Sequence, residues 1–301
     1  MSVHADPRPL ETPLSGGEKG ATVSVEPMVT GHLRSPEALQ PGPGGQAGKL
    51  KVLRSVGPDN PPIPVPAFLI THPKAGHILV DTGLHPSIAS EPAENLGKFG
   101  TWLSRPELDP GDDVPARLRA NGIDPTSIRL VILTHLHLDH ASAIADFPEA
   151  TFIVSAAEWK DATKGLFPIF KAYRREQYDY AFDFRTVDWN GEAVASYSTF
   201  GRTIDLFGDG SIRLASTPGH SAGHQSVIVR LKERDLLIAG DAVFDTGQLE
   251  PRADLPGKMQ DEHNFRRSLQ EIRLFHKQYP DAVIVPGHDI EFYENVPAKY
   301  E

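Results

Sequence analysis

The sequence predicts an α/β protein whose sheets and helices are layered around one core. Three observations carry this expectation. Eight short runs rich in Val, Ile and Leu are bounded by Gly, Pro or Asp and read as strands. Stretches with apolar residues at helical spacing fall between them, so strands and helices interleave over about 250 residues. Four of the aliphatic runs end in Asp or His, as buried strands do when they deliver polar side chains to a common site.

Taken in order, residues 1–48 are rich in Pro, Gly, Ser and Glu and end near Gln40-Pro41-Gly42-Pro43-Gly44-Gly45. Such a segment buries little apolar surface. It is expected to be a partly disordered N-terminal extension, with at least the first ~20 residues a mobile tail. One domain is expected over residues 49–301, with ordered structure starting near Lys49. Strands are predicted at 65–71, 77–80, 130–133, 152–154, 212–214, 227–229, 236–239 and 283–285. Helices are predicted at 113–121, 155–163, 168–180 and 261–278. Asp113 and Pro115 give the first helix a cap and an early proline. The last carries Phe265, Leu269, Ile272 and Phe275 at helical spacing.

Composition narrows the function classes. The chain has 301 residues, 39% of them hydrophobic, which is enough for a sizeable core. The formal net charge is −10 and no Lys/Arg-rich block is present, which argues against nucleic acid or an anionic membrane as partner. There is no cysteine, so any metal must sit on His and carboxylate. Residues 1–10 carry Asp, Arg and two prolines where a signal peptide needs an apolar core, and a cytoplasmic protein is expected.

The most informative stretch is Thr134-His135-Leu136-His137-Leu138-Asp139-His140, directly after an aliphatic run. It packs three imidazoles and a carboxylate into six residues, a combination that points to metal. From an extended segment His135 and His137 point the same way, while Asp139 and His140 fall on a turn and can face a second ion. Further on, His220 and His224 lie in Thr217-Pro218-Gly219-His220-Ser221-Ala222-Gly223-His224, Asp241 follows a strand, and His288 lies in Pro286-Gly287-His288. Of thirteen histidines, five are ligand candidates: His135, His137, His140, His220 and His288. With Asp139 and Asp241 they make seven ligands, which suits two divalent ions sharing a carboxylate and a hydroxide. Such a site holds a nucleophile at neutral pH and polarises a carbonyl or phosphoryl group. His224 reads as a supporting hydrogen-bonding residue. Asp81 reads as the partner of a ligand imidazole's other nitrogen, with turn capping as the competing role. The other seven histidines read as surface or core.

These motifs in this order resemble the metallo-β-lactamase-fold hydrolases, over about residues 50–296. The resemblance implies a four-layer αβ/βα sandwich with a dinuclear site at one edge. It implies that His135, His137 and His220 hold one metal, that Asp139, His140 and His288 hold the other, and that Asp241 bridges them. The implied cofactors are two divalent ions, zinc foremost, with iron, cobalt or manganese as alternatives. True β-lactamases of this fold lack the bridging Asp, and flavodiiron oxygen reductases place Glu where this chain has His137. The strings ILVDTG, HLDHA, TPGHSAGHQS and PGHDIE resemble N-acyl-homoserine lactone lactonases, the quorum-quenching lactonases, more than thioesterases with the same ligands.

That likeness implies a lactone as small-molecule substrate, opened by attack of a metal-bridging hydroxide with Asp139 taking or giving a proton. It leaves a homodimer open. One residue departs from the pattern: quorum-quenching lactonases carry a tyrosine three residues after the bridging Asp, and this chain has Phe244. Its ring donates no hydrogen bond, and losing such a donor costs on the order of 10²-fold in rate where it is used. Arylester, phosphotriester or thioester hydrolysis at the same site is therefore the alternative, with a non-hydrolytic iron redox protein behind it. Phe167, Phe170, Tyr173, Tyr178, Tyr180, Phe182 and Phe184 read equally well as an acyl-chain pocket or as helix and dimer packing.

Overall fold

The computed structural model describes residues 4–34, 36, 54–164, 171–257 and 259–301. Strands β1 (Arg8–Pro9), β2 (Ser24–Leu33), β3 (Ile63–His72), β4 (Gly76–Val80), β5 (Leu130–Ile132), β6 (Thr151–Ser155) and β7 (Asp183–Val187) form one sheet. Its order is β1-β7-β6-β5-β4-β3-β2. Strands β8 (Ala195–Tyr197), β9 (Phe200–Asp205), β10 (Ile212–Ser216), β11 (Gln225–Arg230), β12 (Asp235–Gly240) and β13 (Val283–Pro286) form the second, in the order β13-β12-β11-β10-β9-β8. The helices are α1 (Pro92–Ser104), α2 (Val114–Ala120), α3 (Ala156–Lys164), α4 (Glu262–Gln278) and α5 (Ile290–Glu294).

Alternation along the strands explains the layering. In β4, Ile78 and Val80 join a core shared with the second sheet, while Leu79 joins a core with α2 and α3. In β12, Leu236 and Ile238 face the first sheet, while Leu237 and Ala239 pack with Phe265, Leu269, Ile272 and Phe275 of α4. Side chains of a strand alternate in direction, so a strand apolar on both faces must be covered on both. The result is helix, sheet, sheet, helix: the αβ/βα sandwich. Strands β4, β5, β6 and β7 run parallel, as do β12 and β13, so their carboxyl ends open at one edge.

Strands β1, β2, β7, β8 and β9 and helices α1 and α5 were not among the expected elements, and three departures matter most. Ordered structure starts well before Lys49. Strand β2 pairs antiparallel with β3 over most of its length, and β1 pairs with β7. Val25 is buried between the sheets, Met28 on the outer face of the first sheet and Leu33 in a third apolar cluster, and these contacts anchor a segment whose Pro27 and Gly31 made it read as an extension. The Gln40–Gly45 run lies outside the described residues. A helix is present at Pro92–Ser104 where none was expected, with a break at Gly97 (φ 69°). Finally, the described part of the helix expected at 168–180 holds only a short 3-10 turn, Arg175–Gln177. Tyr173 and Tyr178 there join the core on the outer face of the first sheet with Phe184 of β7, and Tyr180 and Phe182 pack against it. Phe167 and Phe170 lie outside the described residues.

Candidate metal centre

Five strand ends meet at the open edge. Asp81 follows β4, the 134–140 stretch follows β5, His220 follows β10, Asp241 follows β12 and His288 follows β13. Potential ligand atoms of His135, His137, His220 and Asp241 lie within 4.8 Å of one another, and those of Asp139, His140 and His288 form a second such group. Thus the seven residues picked from sequence converge in two sets. Asp241 stands between them: its Oδ2 is 3.0 Å from His220 Nε2 and 3.2 Å from His288 Nε2, and its Oδ1 is 3.3 Å from His140 Nε2. The glycine before it, Gly240, takes φ 54°, and a Cβ there would come 2.8 Å from His224 Nε2.

Several ligand candidates use one ring nitrogen for the scaffold and turn the other inward. His140 Nδ1 donates to Asp81 Oδ2 at 2.8 Å. Asp81 also accepts from the Thr134 backbone N–H and hydroxyl, both at 2.7 Å. His288 Nδ1 donates to the Pro64 carbonyl at 2.8 Å, which leaves Nε2 with its lone pair whenever the ring is neutral. His135 Nδ1 lies 3.0 Å from the Thr134 hydroxyl. Such partners fix ring orientation and tautomer for a metal.

The donors fit divalent ions. His135 Nε2 is buried with no hydrogen-bond partner, and His140 Nε2 and Asp241 Oδ1 are buried facing each other at 3.3 Å with no further hydrogen-bond partner. Orphaned buried polar atoms are costly, and inward nitrogen and carboxylate oxygen form the donor set zinc-like ions take. Electrostatics agree. Burial opposes charge on His140, but Asp241, Asp139 and Asp81 outweigh it and hold its pKa well above the usual value. His288 is also raised: Asp241 outweighs its burial. His135 is pushed well below by burial and by His140 and His137. Asp241 is held well below the carboxylate range by His288, His220 and His140, against its burial. The carboxylates around His140 and His288 therefore favour positive charge at the positions that cations would fill.

His224 is in a different position. Its Nε2 accepts from the Asp241 backbone N–H at 3.0 Å, so Nδ1 carries the proton and donates to Thr217 Oγ1 at 2.9 Å. Burial, with help from His220, lowers its pKa to about 3. It holds the backbone of Asp241 and is no member of either ligand group.

Above the cluster lies a cavity. His137, Asp139, His220, Asp241 and His288 form its polar part, and Leu33, Ile63, Leu103, Leu138 and Phe244 are among its apolar walls. The Phe244 ring sits 4.8 Å from that of His288. Tyr173, Tyr178, Tyr180, Phe182 and Phe184, the described members of the aromatic stretch, do not line this cavity. The wall comes instead from β2, β3 and α1, two of which were absent from the sequence reading.

Sequence reasoning missed Glu158. It is fully buried and accepts hydrogen bonds from Leu136 N at 3.0 Å, Ser221 Oγ at 2.7 Å and Gly223 N at 2.9 Å. Nothing in the local sequence marks it, because an acidic residue in the first turn of a helix is ordinary.

Known proteins place this geometry in a family. A model of the metallo-beta-lactamase superfamily matches residues 60–288. The N-acyl homoserine lactonase AttM of Agrobacterium fabrum is 36% identical over 239 residues, covering 77% of this chain and 84% of that one. A probable metallo-hydrolase of Mycobacterium tuberculosis is 30% identical over 238 residues, covering 75% of each. A solved N-acyl homoserine lactone hydrolase, with the product N-hexanoyl-L-homoserine at its catalytic metal center, superposes with a TM-score of 0.71 at 23% identity, over 92% of this chain and 97% of that one. Fold, motif order and sequence identity agree, and the chain belongs to the metallo-β-lactamase superfamily.

Proposed function

We propose that this chain is a dinuclear metal-dependent hydrolase that opens the lactone ring of N-acyl homoserine lactones. The observation that carries this is the cavity: its polar floor is the ligand cluster, and its walls are apolar. That pairing suits a substrate with a hydrolysable polar head and an apolar tail. The curated relatives named as N-acyl homoserine lactonases support the same head group.

His135, His137 and His220 would hold one ion, Asp139, His140 and His288 the other, with Asp241 between them. When bound, two zinc-like ions supply a water that is deprotonated near neutral pH and a Lewis acid for the carbonyl. The chain's own contributions are orientation and exclusion of water. Asp81 and the Pro64 carbonyl fix His140 and His288, while Leu33, Ile63, Leu103 and Phe244 line the space beside the ligands. Asp139 faces the cavity and is the group placed to take or give a proton there.

Phe244 keeps a second reading in view. It lines the cavity beside His288, where a tyrosine would add a hydroxyl donor. Without that donor the same centre suits esters and phosphotriesters with good leaving groups. The test is pH-monitored turnover of acyl-homoserine lactones by the zinc- or cobalt-loaded protein, beside chromogenic esters and phosphotriesters, for wild type and Phe244→Tyr. Lactone opening by wild type is expected, with a gain on lactones of up to about 10²-fold from the added hydroxyl. Turnover of phosphotriesters or aryl esters with none of any lactone would overturn the lactonase assignment.

A further inference from the structure

Glu158 is a carboxylate in an expensive place. It is fully buried on α3, and it forms no ion pair with Lys or Arg among the described residues. Burial pushes its pKa up, opposed by hydrogen bonds from Leu136, Ser221, Gly223 and Tyr173. A buried carboxyl satisfied by four neutral donors needs a reason to be there, since an apolar side chain would avoid the desolvation cost.

The donors supply the reason. Leu136 lies between His135 and His137, and Ser221 directly follows His220. Oε1 accepts from Leu136 N, while Oε2 accepts from Ser221 Oγ and Gly223 N. One side chain therefore ties together the two loops that carry the three histidines of a single ligand group. Gly223 lets them approach: a Cβ there would fall 2.2 Å from the Glu158 backbone nitrogen. Tyr173 extends the tie. Its ring lies 5.1 Å from that of His137, and its hydroxyl accepts from Gln260 Nε2 at 3.1 Å. The Gln260 backbone N–H in turn reaches the carbonyls of Gly219 and His220, at 2.9 and 3.1 Å. None of these donors belongs to Asp139, His140 or His288, and His140 and His288 have their own supports in Asp81 and the Pro64 carbonyl.

We infer that Glu158 is a positioning residue for one ion only, the one held by His135, His137 and His220, and that it does not position the ion held by Asp139, His140 and His288. This rests on the dinuclear reading above. Partners that orient ligands are worth about 10- to 100-fold in metal affinity. In Glu158→Gln an amide NH₂ replaces one oxygen and faces a donor on one loop or the other.

The experiment is metal content per chain, by elemental analysis, after equilibrium dialysis against a graded metal buffer. The cobalt absorption spectrum is recorded in parallel. Wild type is expected to retain two ions. Glu158→Gln is expected to lose one at about 10- to 100-fold higher free metal while the other keeps its wild-type affinity. Adding His135→Ala to Glu158→Gln should then leave the retained ion unaffected. Ser221→Ala, which keeps the carboxylate and removes one donor, should shift the same ion in the same direction by less, and it decides the matter if Glu158→Gln does not fold. Wild-type affinities in both variants, or equal weakening of both ions, would overturn the inference. A wild type that binds fewer than two ions would overturn the dinuclear reading and this inference with it.

Discussion

Asp81 shows how much of the centre rests on single side chains that touch no ion. It sits at φ 58°, a conformation few non-glycine residues adopt but Asp and Asn tolerate. From there its carboxylate takes three donors: His140 Nδ1, Thr134 N and Thr134 Oγ1. Asp81→Asn preserves shape and backbone preference but turns one oxygen into a donor that opposes this set. It is expected to lower affinity for the ion held by Asp139, His140 and His288 by about 10- to 100-fold, with a smaller loss at the other position, which Asp81 reaches only through the Thr134 hydroxyl beside His135. Competition titration with a chromogenic chelator measures this, and unchanged affinity at both positions would refute it. The pattern would mirror that of Glu158→Gln. Asp81 was readable in sequence because it ends a strand run in Asp-Thr-Gly. Glu158 was not, because its importance comes from the approach of a loop more than sixty residues away, as its bond to Gly223 N shows.

At the scale of elements, the sequence disclosed strands carried by unbroken apolar runs and hid those whose runs are interrupted by polar residues, Pro or Gly. Strands β4, β5, β6, β11, β12 and β13 are apolar nearly throughout because both sheet faces are covered, and all six stood out as aliphatic runs. Strand β2 buries Val25 and Met28 on opposite faces but its apolar run is broken by Pro27, Thr30, Gly31 and His32, and β8 and β9 are interrupted by polar, exposed positions. Such segments have no periodicity strong enough to separate them from loop. The aromatic stretch, which read equally well as pocket or packing, is packing in its described residues: Tyr173 and Tyr178 are amphipathic, and the core satisfies their hydroxyls through Gln260 and the Ala162 carbonyl. Helix α4 was clear from its spacing and is a place to test the layer assignment. Leu269 is 1% exposed against the second sheet, and Leu274 is 44% exposed. Leu269→Ala is expected to cost about 2–5 kcal/mol in urea unfolding, whereas Leu274→Ala should stay within about 0.5 kcal/mol. Ser268 of the same helix donates to the Pro218 carbonyl, beside the His220 loop, so metal affinity should also fall in the first variant. Equal costs for the two substitutions would contradict the packing described.

At the scale of the whole molecule, the centre is a cross-link between two halves. His135, His137, Asp139 and His140 come from the first sheet's edge, whereas His220, Asp241 and His288 come from the second. Ions that bind the folded chain and not the unfolded one add stability by mass action, about 2.7 kcal/mol at a free concentration one hundred times the dissociation constant. The pH dependence of this gain has a definite sign. In the metal-free protein His140 and His288 have raised pKa values, so their contribution to stability is full below their unfolded value near 6.5 and is lost as pH rises through the folded values. Metal must displace those protons, so its affinity rises with pH, by about tenfold per unit for each proton displaced. Both effects act in the same direction. The difference in melting temperature between metal-loaded and dialysed metal-free protein should therefore widen from pH 6 to pH 8. Calorimetric metal titration in buffers of different ionisation enthalpy should register proton release in the same interval. A gap that narrows with pH, or uptake without proton release, would mean that the imidazole charges in the metal-free centre are not those the carboxylates around it impose.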